Sequence, residues 1–241
     1  MSVLVGCAGW SLPRDVQAEF PAEGSHLARY AARFPVVEIN SSFHRPHRAS
    51  TWARWAAESP PGFRFAAKLP KTITHQLRLA GADEALAAFM AEAAGLGEKL
   101  AVLLVQLPPS LAFDPAVAVP FFAGLAARTG VSVVCEPRHA SWFEDDADAL
   151  LAEHRVARVA ADPARVPVAA HPGGWRGMAY HRLHGSPRTY YSSYPPEYVR
   201  GLAERLREDA ADGRDAWCIF DNTASGAAAA NALELLAALA P

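Results

Sequence analysis

The chain has 241 residues, of which 51% are hydrophobic, so it can bury one sizeable core. Its formal net charge is −2, which argues against a protein that binds nucleic acid through an overall basic surface and leaves only a local basic patch. The first residues, MSVLVGCAGW, lack a basic leader and a long apolar segment, so no signal peptide is expected. No run of about 18 apolar residues without charge occurs, so no membrane span is expected.

The three cysteines, Cys7, Cys135 and Cys218, lie far apart in apolar runs. The chain has neither a Cys-x-x-Cys pair nor a Cys/His spacing typical of a metal site. We interpret all three as reduced thiols in the core, which is typical of a cytosolic protein, and we expect a cytoplasmic location. No cofactor is expected.

Eight short apolar runs alternate with longer segments that have the period of a helix. The predicted strands are 3–9, 36–40, 63–68, 101–106, 131–136, 156–162, 178–184 and 216–222. The predicted helices are 84–95, one that begins at Asp114-Pro115, one with Glu144, Asp145, Asp146 and Asp148 in its first turn, 195–211 and 224–239.

Strands that alternate with helices favour a parallel sheet, and eight such repeats in this length fit a closed barrel. We therefore predict a single α/β domain over residues 1–241, a (β/α)8 barrel of the TIM type. Residues 163–177 contain Pro and Gly and have no helical period, so the unit after strand six is predicted to be irregular.

Most predicted strands end in a polar or charged side chain. Because side chains alternate across a strand, Val37 and Ile39 should face the helices while Glu38 and Asn40 point into the barrel mouth. The same alternation places Lys68, Gln106, Glu136, Arg182, His184 and, on the face of Phe220 and Cys218, Asn222 in the mouth. This is the rim where barrel enzymes carry their active sites. We expect Lys68 to lie close to Glu38 or Glu136, since buried carboxylates need partners.

The loops beside this rim are rich in basic and aromatic side chains. The basic ones are His44, Arg45, His47, Arg48, Lys71, His75, Arg138 and His139. They suggest an anionic ligand such as a phosphate or a carboxylate. Aromatic residues such as Trp10 and Phe43 could stack on a base or sugar, or pack the loops.

The same residues also raise the question of a metal site. Glu38, Glu136, Asp162, His184 and Asn222 are acceptable ligands. No clustered ligand spacing accompanies them, and the neighbouring Lys and Arg side chains would compete for the carboxylates. No metal is therefore predicted.

Several motifs occur together in a recognisable order. They read GCAGW, VEINSSF, FRFAAKLPKTITH, VQLPPS, EPRHASWF, YHRLHG and FDNTASGAAAANAL. From Gly6 to about Leu233 the chain resembles the YecE-like family, known as domain of unknown function 72. The resemblance implies an eight-stranded α/β barrel without an established activity, distantly similar to xylose isomerases and apurinic endonucleases. It carries over onto Gly9, Trp10, Glu38, Asn40, Lys68, His75, Gln106, Glu136, Arg138, Arg182, His184 and Asn222.

The chain departs from the family pattern at three places. The segment SLPRDVQ after Trp10 lacks further aromatic residues, His44 replaces a common Tyr, and Asp221 stands where Asn is usual. These departures concern the aromatic part of the pocket more than its charged floor.

Three functions compete for this site. The first is a metal-independent enzyme for a small anionic or sugar-phosphate-like substrate. Its catalytic residues would be Glu38 and Glu136 as acid and base, together with Lys68. Its substrate-binding residues would be Trp10, Asn40, His75, Gln106, Arg138, Arg182, His184 and Asn222. The second is a nucleic-acid-binding or phosphodiester-cleaving protein, and the third is a non-catalytic ligand-binding barrel. A concave rim with basic flanks favours the first.

Overall fold

A computed structural model describes residues 3–240 as a mixed α/β fold built around one ten-stranded sheet. The strands are β1 Val3–Ala8, β2 Val36–Ile39, β3 Arg64–Lys68, β4 Leu100–Gln106, β5 Ser132–Glu136, β6 Val156–Arg158, β7 Ala160–Asp162, β8 Gly173–Gly174, β9 Met178–Leu183 and β10 Asp215–Phe220. Their order is β7-β9-β10-β1-β2-β3-β4-β5-β6-β8, parallel throughout except for the β6–β8 pair. Because β6 and β7 are neighbours in sequence but lie near opposite ends of this order, the sheet forms a nearly closed barrel.

Within residues 3–240, seven α-helices accompany the strands. They are α1 His26–Ala31, α2 Ala49–Glu58, α3 Asp83–Ala93, α4 Pro115–Ala126, α5 Asp145–Glu153, α6 Pro196–Ala211 and α7 Ala227–Leu239. Helix α4 begins as the sequence predicts, because Asp114 Oδ1 accepts a hydrogen bond from the Ala116 amide and Pro115 is the first helical residue. Helix α1 is an addition to the predicted elements, and Ser25 caps it by accepting from the Ala28 amide.

The sheet departs from eight equal strand–helix repeats at the sixth predicted strand. It is two strands separated by Val159, of which β6 pairs with β5 and β7 pairs with β9. The segment thus changes partner halfway along its length. The irregular stretch that follows contains a short 3₁₀ helix, Pro167–Ala170, and the two-residue strand β8 in place of an α-helix.

Two apolar layers lie on either side of the sheet. The inner layer fills the barrel with side chains such as Val36, Leu104 and Tyr180. The outer layer joins strands to helices and contains Val37 and Ile39, so the alternation predicted for β2 is confirmed. Across residues 3–240, none of the helices is long and apolar enough to span a bilayer.

Gly6 is required where β1 meets β2. A Cβ at this position would collide with the carbonyl oxygen of Val36.

We expect Gly6→Ala to lower the free energy of unfolding by about 1–3 kcal/mol, the usual cost of overpacking a core. Urea denaturation measures this, with Gly201→Ala as the control. That glycine lies in α6 with open space around it, so its replacement should stabilise by about 0.5–1 kcal/mol. Equal stability of the two variants would contradict the assignment.

Candidate functional site

A single guanidinium, that of Arg182 at the end of β9, lies at the centre of the predicted site. It is completely buried. Its Nε and Nη2 donate to the two oxygens of Glu38 at 2.9 and 2.6 Å, and Nη1 donates to Glu136 Oε2 at 2.6 Å. Nη2 also donates to Asp221 Oδ2 at 3.1 Å. One side chain therefore joins carboxylates from β2, β5 and the segment after β10.

Strand geometry explains why these groups meet. Tyr180 precedes Arg182 on the inner face of β9, and its hydroxyl donates to Glu38 Oε2 at 3.0 Å.

Burial acts to lower the pKa of Arg182, but the carboxylates of Glu38, Asp221 and Glu136 outweigh it and raise that pKa well above its ordinary value. A buried ion pair needs such close geometry to offset desolvation.

His184 forms the second link in this buried cluster. Its Nδ1 lies 2.9 Å from Asp221 Oδ2 and its Nε2 lies 3.0 Å from Glu136 Oε1. Burial acts to lower the pKa of His184, yet the two carboxylates raise it above its ordinary value. With a carboxylate beside each ring nitrogen, the protonated imidazolium is the favoured form.

Glu136 receives further donors from the rim. Arg138 Nε and Nη2 donate to its Oε1 at 3.1 and 2.9 Å, and Gln106 Nε2 donates at 3.2 Å. Burial acts to raise the pKa of Glu136, but Arg182, His184 and Arg138 hold it well below its ordinary value. Glu136 is therefore ionised at neutral pH.

The buried cluster is close to electrically neutral by itself. Its three carboxylates, Glu38, Glu136 and Asp221, carry −3 in total. Arg138, Arg182 and the protonated form of His184 carry +3 in total. Any further cation at the mouth is therefore a surplus charge that can attract an anion.

Lys68 is such a cation. Its side chain, at the end of β3, is only 5% exposed, and Nζ lies 4.1 Å from the centre of the Phe43 ring. Glu38 and Glu136 are close enough for their charges to act on Lys68, as the sequence predicts, but they form no ion pair with it. Arg182 occupies both carboxylates, and no acidic group of residues 3–240 forms an ion pair with Lys68. Burial, followed by the charge of Arg182, lowers the pKa of Lys68 to about 8.

His75 and Asn40 lie beside Lys68 at the mouth. His75 belongs to a π-helical turn, Thr72–Gln76, and its ring meets Phe43 edge-on with 4.9 Å between centroids. Burial, then the charges of Lys68 and Arg138, lower its pKa. Asn40 follows β2, and within the described part of the chain its buried Oδ1 has no hydrogen-bond partner. His75 Nδ1 lies 2.9 Å from Thr74 Oγ1, so Nε2 is the ring nitrogen of His75 that is left for a ligand.

Two predicted residues lie away from the cluster. Asn222 Nδ2 donates to the Ser192 carbonyl and to Asn231 Oδ1 of α7, both at 2.9 Å, so it ties a loop to a helix. The inner face of β10 carries Trp217 and Ile219, and it is Asp221 that continues this face. Counting from Trp217 would have identified Asp221.

Trp10 also lies away from the cluster. Its ring meets Trp55 of α2 at 5.1 Å between centroids, and it packs on the outer layer. It therefore anchors the chain after β1 to the helices.

A cavity of about 310 Å³ opens beside the cluster. Glu136, Arg138 and His184 line one side of it, and Arg165 and Thr189 line another. Arg165 is exposed and has no ionic partner among the residues that the structure describes. Sequence reasoning missed it because it lies in the irregular stretch after β7, where no periodicity predicts the direction of a side chain.

The described residues contain no group of three or more His, Cys, Asp or Glu side chains arranged to hold a metal ion. Arg182 instead binds the three carboxylates that a cation would need. All three cysteines are buried free thiols.

The chain belongs to the family described as "Protein of unknown function DUF72", which it matches over residues 4–241. The resemblance drawn from its motifs is thereby confirmed. The UPF0759 protein YecE of Escherichia coli K12 is 28% identical to it over 106 residues, 44% of this chain and 38% of that protein. The UPF0759 protein YunF of Bacillus subtilis 168 is 28% identical over 113 residues, 44% of this chain and 40% of that protein. The matches span about two fifths of these curated relatives.

Solved structures of the same family share the fold over nearly the whole chain. A DUF72 protein from Enterococcus faecalis V583 has a TM-score of 0.81 at 20% identity, covering 99% of this chain and 95% of its own. One from Thermotoga maritima MSB8 has a TM-score of 0.80 at 24% identity, covering 99% of each chain. These likenesses establish the barrel-shaped α/β fold of the family.

Proposed function

We propose that the barrel mouth binds a small anionic, sugar-phosphate-like molecule and that the protein acts on it as an enzyme. The observation that carries this proposal is the cavity beside a self-neutralised cluster, with Arg138 and Arg165 both on its wall. Arg138 uses Nε and Nη2 on Glu136, which leaves Nη1 available, and Arg165 is uncommitted. Guanidinium groups suit phosphate and carboxylate because they donate two parallel hydrogen bonds.

The cluster itself has a supporting role in this proposal. Arg182 is fully occupied by Glu38, Glu136 and Asp221, so it orients carboxylates and does not reach the ligand. Within the proposed acid/base pair, ionised Glu136 suits a base or an electrostatic partner, since a group that stays ionised cannot donate a proton. Gln106 fixes its orientation, and His184, on the cavity wall, is placed to contact the ligand.

The path of the sheet also fits a TIM-type barrel. β6 and β7 are separated by a single residue and together bridge β5 and β9, as one strand of a TIM-type barrel would. We therefore infer a modified eight-stranded barrel in which the sixth strand is bent at Val159. This places the cluster at the C-terminal rim, where such barrels hold substrates.

A nucleic-acid ligand is the second candidate. The observation that favours it is an exposed aromatic pair, Tyr190 and Tyr191, next to the mouth. The Arg188 guanidinium lies 3.9 Å from the centre of the Tyr191 ring, and Tyr190 meets His184 edge-on at 5.8 Å. Such surfaces stack on bases. The overall charge of −2 gives this candidate no long-range attraction to a polyanion.

Thermal unfolding with added inorganic phosphate tests the anion site. Phosphate should raise the melting temperature in a saturable manner, following binding linkage. Arg165→Gln and Arg138→Gln should each weaken the apparent Kd about tenfold or more, since a hydrogen bond to a charged group contributes about 1.5–3 kcal/mol. The matched control is Arg64→Gln, an exposed arginine at the start of β3, which should bind as wild type does.

Three outcomes would contradict this assignment. They are no phosphate-dependent shift, equal weakening by Arg64→Gln, and no effect of either cavity arginine. Stabilisation by single-stranded DNA that falls steeply with salt and is lost in Tyr190→Ala would favour the nucleic-acid candidate instead.

A further inference from the structure

The chain contains few lysines, and one of them, Lys68, lies at the barrel mouth. Of 23 Lys and Arg residues only Lys68, Lys71 and Lys99 are lysines. Lys99 Nζ donates to Ala56 O, Ser59 O and Ser59 Oγ at 2.7, 2.6 and 2.9 Å, which closes the end of α2. Lys71 is exposed. Lys68 is buried, and no residue of 3–240 accepts a hydrogen bond from its Nζ.

Arginine is the usual basic residue of this protein, including at the buried centre of the cluster. A guanidinium does not deprotonate in proteins, whereas a buried amine readily does. The use of lysine at position 68, with no acidic partner, is therefore better explained by the chemistry of the amine than by the need for a positive charge.

We propose that the Lys68 amine attacks the carbonyl carbon of a small phosphorylated aldehyde or ketone bound in the mouth and forms an imine with it. This inference rests on the proposed anion site, which binds the phosphate group of that molecule. Nζ forms the new C–N bond while the carbonyl π pair moves to oxygen, and one amine proton is transferred to that oxygen to give the carbinolamine. The hydroxyl then leaves with the second amine proton as water, and a C=N bond remains. No oxidant or reductant is consumed.

The surroundings of Lys68 favour the uncharged amine that this step needs. The apolar ring of Phe43 lies against Nζ, and the Arg182 guanidinium repels a second cation. Glu38, Glu136 and Asp221 act to raise the pKa of Lys68, but all three are bound to Arg182, and burial and the Arg182 charge outweigh them. With a pKa of about 8, about a tenth of Lys68 is neutral at pH 7, against less than about a thousandth of an ordinary lysine.

Borohydride trapping tests the proposal directly. The protein is incubated with glycolaldehyde phosphate, reduced with sodium borohydride, and analysed by intact mass and peptide mapping. We expect the reduced adduct on Lys68 at least tenfold faster than on Lys71, with a rate that rises with pH to a plateau above about 8. Lys68→Arg should lose this adduct. If that variant does not fold, the comparison of the lysines within the wild-type protein still decides the matter.

Neutral glycolaldehyde, which differs only by lacking the phosphate, separates the inference from the function on which it rests. Slower trapping of glycolaldehyde at Lys68 supports both. Phosphate-dependent stabilisation without any adduct on Lys68 overturns the imine and leaves the anion site standing. Equal trapping of the two compounds, with no phosphate-dependent shift, overturns the anion site and leaves only a reactive lysine. Labelling of Lys71 as fast as Lys68 overturns the proposal.

Discussion

Replacing Arg182 with leucine is expected to destabilise the protein by about 3–5 kcal/mol, the usual cost of removing one partner of a buried ion pair. The substitution leaves Glu38, Glu136 and Asp221 buried without the group that joins them. Urea denaturation at pH 7 measures the loss. Such a variant is unsuitable for testing ligand binding, which is why the cavity arginines are the ones to change for that purpose.

The pH dependence identifies the cause of this loss. In the wild type, Arg182 helps to hold the pKa values of Glu136 and Asp221 below their ordinary values. Their stabilising contribution is therefore present above the ordinary carboxyl pKa of about 4 and is lost as pH falls through the lower folded-state values. The difference between wild type and Arg182→Leu should narrow below about pH 4.

A matched control comes from the surface. Arg33 pairs with Glu19 at 3.8 Å, and both side chains are about half exposed. Arg33→Leu should change stability by less than about 1 kcal/mol, as is usual for exposed pairs. A loss of the same small size for Arg182→Leu, or a loss independent of pH, would contradict the central role of this arginine.

Local periodicity explains why much of the site could be predicted from sequence. Alternation along a strand depends only on neighbouring residues, so the inward direction of Glu38, Gln106 and Glu136 follows from the apolar residues next to them. Lys68 and Arg182 follow in the same way. At β10 the predicted inner face is wrong, because Cys218 and Phe220 lie in the outer layer and Trp217 and Ile219 in the inner one, so Asp221 and not Asn222 joins the cluster.

Pairing between distant segments could not be predicted in this way. Arg182 and Glu38 are 144 residues apart in sequence, and nothing local indicates that one guanidinium takes two carboxylates and leaves Lys68 without a partner. The change of partner at Val159 is likewise set by the strands on either side, since β6 meets β5 and β7 meets β9. Arg165 reaches the cavity from a stretch with no regular structure.

Replacing Lys68 with methionine is expected to stabilise the protein at pH 7, by up to about 3 kcal/mol. The pKa of Lys68 falls from 10.5 to about 8 in the folded state, and a change of one in pKa corresponds to about 1.4 kcal/mol. The ammonium is thus costly to keep charged where it lies, and an apolar side chain of similar length removes that cost while keeping contact with Phe43.

The sign of the pH dependence follows from the lowered folded-state pKa. Between pH 8 and 10.5 the unfolded chain holds a proton on Lys68 that the folded chain has released, so wild-type stability rises through this window relative to the variant. The extra free energy of unfolding of Lys68→Met relative to wild type should therefore be at its full value below pH 8 and nearly zero near pH 10.5. Taking the difference between the two proteins at each pH, by urea denaturation, cancels the titration of other groups.

Lys71→Met, at an exposed position three residues away, should leave stability within about 0.5 kcal/mol of wild type at every pH. A Lys68→Met variant less stable than wild type at pH 7 would mean that the ammonium is paired in solution, and the reactive-amine proposal would lose its basis.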